Sequence, residues 1–423
     1  MEFEADAGFA EHLDAIDPLS EFRDRFMIPT VDGESVVYLV GNSLGLQPRT
    51  APQILNEEMK LWAEKGVAGH FDQRRPWVDY HTQPGVSMAS LVGARPAEVV
   101  LMNTLTVNLH LLMISFYQPT ANRHKILIED RAFPSDHFAV ESQIAQRGFD
   151  PATSLATVHP RPGEDTLHTA DILDAINELG PELALVLLPG IQYYTGQVLA
   201  MSEIVAAAHG VGARVGFDLA HAIGNVEMSL HDWGVDFAAW CTYKYLNAGP
   251  GAIAGAFVHE RHLSADLPRL QGWWGHELVS RFEMETEFRP EPSADAWSVS
   301  NAPILSMAPI VASMEIFDEV GMPALREKSR LQSGYMDYLL GVRLPGKVES
   351  ITPIHPEERG CQLSLRVIVD DIDGRQVYER LQASNVACDW RYPAVVRVAP
   401  TPLYNTFSDI YRFVEILDEI VGT

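Results

Sequence analysis

Two short stretches concentrate the residue types that do covalent chemistry. In Gly216-Phe-Asp-Leu-Ala-His-Ala-Ile-Gly224 an apolar run ends in Asp218, with His221 three residues on. A carboxylate at the end of a buried strand can pair with a protonated pyridine nitrogen and turn that ring into an electron sink. His221 could pack on or beside such a ring. Alone, the same residues also read as a helix cap and a satisfied loop histidine. The second stretch, Asp236-Phe-Ala-Ala-Trp-Cys-Thr-Tyr-Lys244, delivers Tyr243 and Lys244 into the turn-rich segment Tyr245-Leu-Asn-Ala-Gly-Pro-Gly251. Burial disfavours a lysine's charge. Condensation with an aldehyde as a Schiff base removes that cost and yields an electrophile, whereas a surface lysine at a strand exit is the plain alternative. An acid and a lysine on successive strands strengthen each other. The cofactor that uses both is pyridoxal phosphate, a pyridine aldehyde with a phosphate tail.

A phosphate needs amide and hydroxyl donors, often at a helix N-terminus. Asn103-Thr-Leu-Thr-Val-Asn108 opens the helical run Asn108–Tyr117 and offers Leu105 and Thr106, or simply a threonine cap. Phe133-Pro134-Ser135-Asp136 offers an aromatic face, a hydroxyl and a carboxylate, or a turn and helix start. Rival motifs are absent: there is no GxxxxGKS/T loop, no HExxH helix and no GxSxG elbow. Gly210, Gly212 and Gly216 lack the GxGxxG spacing, so a nicotinamide site has no support. The 15 histidines include no close pair with a matching third ligand, and no metal is expected. The cluster Gly272-Trp-Trp-Gly-His276 fits core or interface equally well.

These residues need a frame. From about residue 97 to about residue 260, β-rich runs alternate with helix-length segments. The strands are expected at Val99–Met102, Lys125–Glu129, Ser154–Val158, Ala184–Leu188, Ala213–Asp218, Asp236–Trp240 and Ala252–Val258. Helices are expected at Asp136–Arg147, Thr169–Leu179 and Ser202–Val211. Several strands are apolar throughout, as strands buried on both faces are. The rhythm predicts an α/β domain with a mainly parallel sheet, whose ligands sit at the carboxyl ends of the strands. After about residue 300, helices Pro303–Val320 and Pro323–Leu340, strands Gln362–Val369 and Val395–Val398, and an amphipathic helix from Ser408 to about Ile420 predict a smaller α+β domain. The segment Tyr38–Gly45 has no place on pattern alone.

A chain of 423 residues holds about two or three domain-sized units. A net charge of −26 argues against nucleic acid and anionic membranes as partners, yet leaves room for an anion held by a few local groups. Cys241, Cys361 and Cys388 form no CxxC pair and no disulfide ladder, which points to a reducing compartment. The acidic N-terminal stretch lacks the order of a signal peptide, and the apolar runs Leu105–Tyr117 and Leu183–Ile191 are too short to span a bilayer. A cytoplasmic location is expected.

The blocks YLVGNSLGLQP, NTLTVNLHLLM, FPSDH, GFDLAHAIGNV, HDWGVDFAAWCTYKYLNAGPG, GWWGHE and RVAPTPLYN occur in this order between residues 38 and 406. Together they resemble the kynureninase family over nearly the whole chain. The resemblance implies a fold type I pyridoxal-phosphate architecture, with a mostly parallel seven-stranded sheet in a large domain over residues 56–300. A small α+β domain over 301–423 would be joined by the segment 1–55, and two chains would pair as a homodimer with active sites at the interface. Lys244 would carry the cofactor and Asp218 would pair with its ring nitrogen. Leu105, Thr106, Ser135, His221 and Tyr243 would line it, with Pro134 and Asp136 in the same block as Ser135, and Phe133 would stack on the ring. Trp273 and Asn301 would reach the phosphate region, Asn301 also facing the substrate. Arg397 would hold the substrate α-carboxylate in a bidentate grip, and His70 would sit near its aromatic end.

The implied reaction is hydrolysis of L-kynurenine or 3-hydroxykynurenine to anthranilate or 3-hydroxyanthranilate and L-alanine, in tryptophan degradation. Tyr243 is the expected acid/base, its pKa lowered by Lys244. Pro189 departs from the family, standing where some members have a Ser near the cofactor; it offers no backbone N–H, so a local change follows. Trp274 is bulkier than the Phe of some relatives and favours the smaller substrate. Two other readings stay open. A cysteine desulfurase or aminotransferase would use the same cofactor, although a desulfurase needs a mobile nucleophilic cysteine. A non-catalytic cofactor-binding protein is disfavoured by the intact Lys244, Asp218 and Arg397.

Overall fold

The computed structural model describes residues 2–72 and 74–422. The expected strands condense into seven: β1 Val99–Leu101, β2 Lys125–Glu129, β3 Leu155–Val158, β4 Leu183–Pro189, β5 Arg214–Asp218, β6 Phe237–Trp240 and β7 Gly255–Val258. They form one sheet in the order β1-β7-β6-β5-β4-β2-β3. Only β7 runs antiparallel to its neighbours, pairing with β6 and β1. The expected mostly parallel seven-stranded sheet is therefore present. Its apolar runs are explained by two cores, one on each face. Val186, Leu188, Val215 and Phe217 pack into one, while Leu185, Leu187, Phe237 and Ala239 pack into the other. Successive side chains point to opposite faces, so a strand covered on both sides has no polar positions to show.

Two helices that start at the carboxyl edge matter most for the site. One spans Leu105–Phe116, beginning three residues before the expected Asn108 because Thr104 is extended and its carbonyl already accepts from Asn108 N. The other spans Pro134–Gln146, with the proline in its first turn, where the missing N–H costs nothing.

A second sheet has strands β8 Val348–Ser350, β9 Leu363–Val367, β10 Asp389–Arg391 and β11 Val395–Val398, in the antiparallel order β8-β9-β11-β10. Its core includes Leu363, Leu365, Val396 and Val398, the helices Met322–Arg343 and Phe407–Gly422, and Val37 and Leu39 from the N-terminal segment. Val37 and Tyr38 pair in parallel with Val386 and Ala387, and Val40 bridges to Ala399. The N-terminal chain is thus stitched to the second sheet just before Gly41–Gly45. The helix Ile304–Val320 instead packs into the core of the first sheet.

Candidate active site

The carboxyl ends of β2, β4 and β5 and the loop after β6 open into a cavity of about 300 Å³. Both sheets contribute to it: Asp218, Tyr243 and Lys244 from the first, and Arg391 and Arg397 from the second. Asn42 and Ser43 close it from the N-terminal segment. Glycine makes that closure possible. A Cβ on Gly45 would lie 2.2 Å from Lys244 O, and one on Gly41 would lie 2.3 Å from Tyr404 Oη. Gly45 N donates to Tyr243 O at 2.8 Å, so the loop braces the backbone that carries the lysine.

Lys244 Nζ lies 2.9 Å from His221 Nε2. Burial holds the His221 imidazole well below its usual pKa, and Lys244 and Arg397 push the same way. A neutral ring can accept from the ammonium at Nε2 while Nδ1, buried, has no partner among the described residues. Asp218 Oδ1 accepts from Ala220 N at 2.7 Å. Burial raises its pKa, moderated by a hydrogen bond with Asp136 and by the charge of Lys244. Asp136 is raised well above the carboxylate range, by burial first and then by Asp218. Burial and the neighbouring Asp218 thus both favour the protonated form of Asp136. Glu129, at the end of β2, is pushed up to about 8, chiefly by burial, with the hydrogen bond from Gln192 opposing and Asp218 and Asp130 adding to the rise.

Arg397 is almost wholly buried. Its Nε donates to Asp389 Oδ1 at 2.8 Å, its Nη2 to Asp389 Oδ2, and its Nη1 to Tyr193 O at 2.6 Å. Tyr243 corrects an expectation. Its hydroxyl pKa is raised, by burial first and then by the Cys241 thiol and Asp218. The Lys244 ammonium is directed to His221, so the tyrosine feels the acids of the pocket and stays protonated.

Of the residues singled out from sequence, Leu105, Thr106, Phe133, Ser135, Asp136, Pro189, Asp218, His221, Tyr243, Lys244 and Arg397 all line the cavity. Within one chain the structure does not bring Pro134, His70, Trp273 or Asn301 to it. Pro134 is spent on starting its helix. His70 packs edge-on against Trp77 at 5.4 Å. Trp273 Nε1 donates to Arg281 O at 2.9 Å, beside a separate cavity of about 240 Å³. Asn301 is exposed and accepts from Ser300 Oγ at 3.3 Å. Trp274 lies buried under the Arg281 guanidinium, 4.8 Å from its ring centre.

Sequence reasoning missed Asn42, Ser43, Glu129, Tyr193 and Arg391. A carboxylate ending an apolar strand was the available signal for Glu129; the others arrive from distant chain.

The fold also gathers one group that spacing could not show. Glu98, His231 and His259 have ligand-type atoms within 4.8 Å of one another. Their atoms are already engaged, Glu98 Oε1 by His231 Nδ1 at 2.9 Å and Glu260 N at 2.7 Å, and Oε2 by Arg95 N at 2.8 Å.

The cavity fits a pyridine aldehyde with an anionic tail. Asp218 could pair with a ring nitrogen, and Lys244 could condense with an aldehyde. Phe133, held edge-on to Tyr193 at 5.2 Å, offers a ring face. The unpartnered His221 Nδ1 and Asp136 Oδ1 show polar capacity that the chain itself leaves unused. Thr106 and Ser135 sit in the first turns of two helices, where free N–H groups favour an anion.

A family model described as the kynureninase C-terminal domain matches residues 325–417. The whole sequence is 54% identical over 405 residues to a kynureninase of Xanthomonas oryzae pv. oryzae (strain PXO99A), covering 96% of each chain. It is 49% identical over 421 residues to a kynureninase of Christiangramia forsetii, covering 99% of this chain and 98% of the other. Among solved structures, the cysteine desulfurase CsdA of Escherichia coli superposes with a TM-score of 0.76 at 16% identity, over 96% of this chain and 98% of that one. A mutant of C-DES with glycine covalently linked to its PLP cofactor gives 0.75 at 18%, over 90% and 96%. At such identities the two share a fold with this chain and nothing finer.

Proposed function

The chain belongs to the kynureninase family, and from that premise we propose that it hydrolyses L-kynurenine or its 3-hydroxy form, with pyridoxal phosphate as cofactor, releasing the anthranilate and L-alanine. The observation that carries the reading is the convergence of Lys244, Asp218, His221 and Arg397 on one cavity between the two sheets.

Pyridoxal phosphate, when bound, supplies an electron-poor ring that stabilises negative charge on carbon next to the substrate's nitrogen. The chain's residues do the rest. Asp218 keeps a proton on the ring nitrogen, and Asp136 keeps Asp218 in place by sharing a hydrogen bond with it. Lys244 Nζ holds the cofactor before substrate arrives and then takes the proton from the substrate's α-carbon. His221, held neutral, accepts from Lys244 Nζ without competing for its charge. Arg397 holds the α-carboxylate, which fixes the bond to be broken relative to Lys244. Tyr243, protonated throughout the neutral range, donates its Oη proton as the carbonyl side of the substrate is hydrolysed. Pro189 contributes shape but no N–H donor at the cavity wall.

The desulfurase reading loses its nucleophile. All three cysteines are buried. Burial pushes the Cys361 and Cys388 thiols up to about 12, and none of the three lines the cavity. The proposal includes a homodimer. Phe71, Trp273 and Phe282 form an exposed aromatic cluster, with ring centres 5.6 Å and 5.5 Å apart for the two contacts of Phe282. Val279 is 93% exposed, and an exposed apolar patch of this kind is a surface on which a second copy could pack. No described helix is long and apolar enough to cross a membrane. A cytoplasmic location remains part of the proposal.

The test mixes cofactor-loaded protein with L-kynurenine, following anthranilate fluorescence and alanine, with 3-hydroxykynurenine in parallel. Equal amounts of the two products are expected. A cofactor spectrum that responds to substrate without anthranilate would overturn the hydrolase and leave the cofactor.

A further inference from the structure

Arg397 presents a puzzle of charge. Asp389 takes the edge of its guanidinium formed by Nε and Nη2, and Tyr193 O takes one proton of Nη1. The edge left for a ligand is the Nη1–Nη2 end, which still has a proton on each nitrogen. Asp389 therefore aims the fork, and also cancels its charge. A carboxylate entering the cavity meets an arginine that is already neutralised.

The missing charge is two residues from Asp389 on the same strand, β10. Arg391 lines the cavity, and its Nη2 lies 3.2 Å from Asp389 Oδ2. Its Nε is buried and has no hydrogen-bond partner among the described residues. The Arg391 side chain as a whole is 39% exposed, so the rest of the guanidinium is within reach of a ligand in the cavity it lines. An N–H with nothing to donate to is a donor short of an acceptor. Arg391, Arg397 and Asp389 together leave one net positive charge, which is what a single carboxylate neutralises. The same cavity is also lined by Glu129, Asp136, Asp218 and Lys244. A zwitterion's carboxylate is thereby drawn to the arginines, the part of the cavity lining with a net positive charge left to offer it.

We propose that Arg391 is a second substrate-binding residue, taking the α-carboxylate together with Arg397 and setting the preference for amino acids with that group free. The inference rests on the reading of the cavity as an amino-acid site, but not on which amino acid is cleaved. A guanidinium at this place could also serve an anion of the cofactor, and the experiment separates the two.

Holoenzyme is titrated with L-alanine and with L-alaninamide, read by the cofactor's absorbance, in the native protein, Arg391→Met and Arg391→Lys. Cofactor affinity is measured beside them by equilibrium dialysis. Arg391→Met should weaken L-alanine roughly 10- to 100-fold, the range for losing a hydrogen bond to a charged group, and leave alaninamide and cofactor affinity unchanged. Arg391→Lys should recover part of the loss. Equal weakening of both ligands, an unchanged alanine affinity, or a fall in cofactor affinity would each overturn the proposal. So would native holoenzyme blind to L-alanine. Native protein that discriminates the two ligands yet makes no anthranilate would leave this inference standing and remove the hydrolase.

Discussion

The two edges of the seven-stranded sheet treat buried carboxylates in opposite ways. At the amino edge, Asp236 precedes β6 and is fully buried. It accepts from His209 Nε2 at 2.9 Å, His262 Nε2 at 2.7 Å, Arg261 Nη2 at 2.6 Å, Arg214 Nη1 at 3.3 Å and Val215 N at 2.8 Å. Burial alone would raise its pKa, but the histidine and arginine contacts outweigh it and hold the carboxyl well below the usual range. Glu98, before β1 at the same edge, is likewise surrounded by donors. At the carboxyl edge the supply is thin. Asp218 has Ala220 N, and Glu129 has a 3.5 Å contact from Gln192 Nε2. A saturated acid fastens loops to a sheet; an acid left short of donors is ready for a ligand.

The sharpest way to break this contrast is to remove the Lys244 amine from the cavity at the carboxyl edge. Lys244→Ala should lower turnover by at least about 10³-fold, as loss of a positioned proton-transfer group does, and abolish the absorbance of the covalently held cofactor. Thermal unfolding of the cofactor-free protein should hardly change. Retained turnover would end the mechanism, and a collapsed melting temperature would make Lys244 a structural residue after all.

The same operation at the amino edge should do the reverse. Asp236→Ala strands His209, His262 and Arg261 around an empty position, and should cost about 3–5 kcal/mol in urea unfolding at pH 7. The activity of the molecules that remain folded should be unaltered. The pH dependence has a definite sign. Asp236 has a depressed folded pKa, so its contribution is complete above its unfolded value of about 4 and disappears as the pH falls below that. The gap between native protein and variant should therefore hold at neutral pH and narrow in acid. A variant with normal stability but lost activity would erase the distinction between the edges.

The legible part of this molecule is local. β2 and β11 have the bounds that their apolar runs predict, because a strand covered on both faces advertises itself in consecutive residues. Asp218 and Lys244 were readable because each ends such a run. Tyr38–Gly45 was not. Its role depends on a parallel pairing with residues almost 350 positions away and on glycines pressed against Lys244 O and Tyr404 Oη. The Tyr243 pKa failed for a related reason: adjacency in sequence to Lys244 said nothing about the Cys241 and Asp218 that surround its hydroxyl. Arg391 carries no motif of its own, and only the second sheet turns it into the cavity.

Glu129 offers the smallest and most discriminating effect. Its carboxyl is raised to about 8 in the folded protein, so the folded state keeps a proton that the unfolded chain gives up near pH 4.5. Stability must then fall as pH climbs between those values, by up to about 1.4 kcal/mol for each unit of pH within the window. Glu129→Gln removes the titration while retaining an acceptor for Gln192 Nε2. The variant should match the native protein near pH 4, melt at a higher temperature by pH 8, and gain nothing further above it. Turnover below pH 8 should change by less than about tenfold, since a protonated Glu and a Gln present similar groups to Asp218. A melting difference independent of pH would mean that Glu129 is ionised in the folded state and has found a donor. In that case the carboxyl edge would be as saturated as the amino edge, and the thin supply of donors would no longer mark the ligand site.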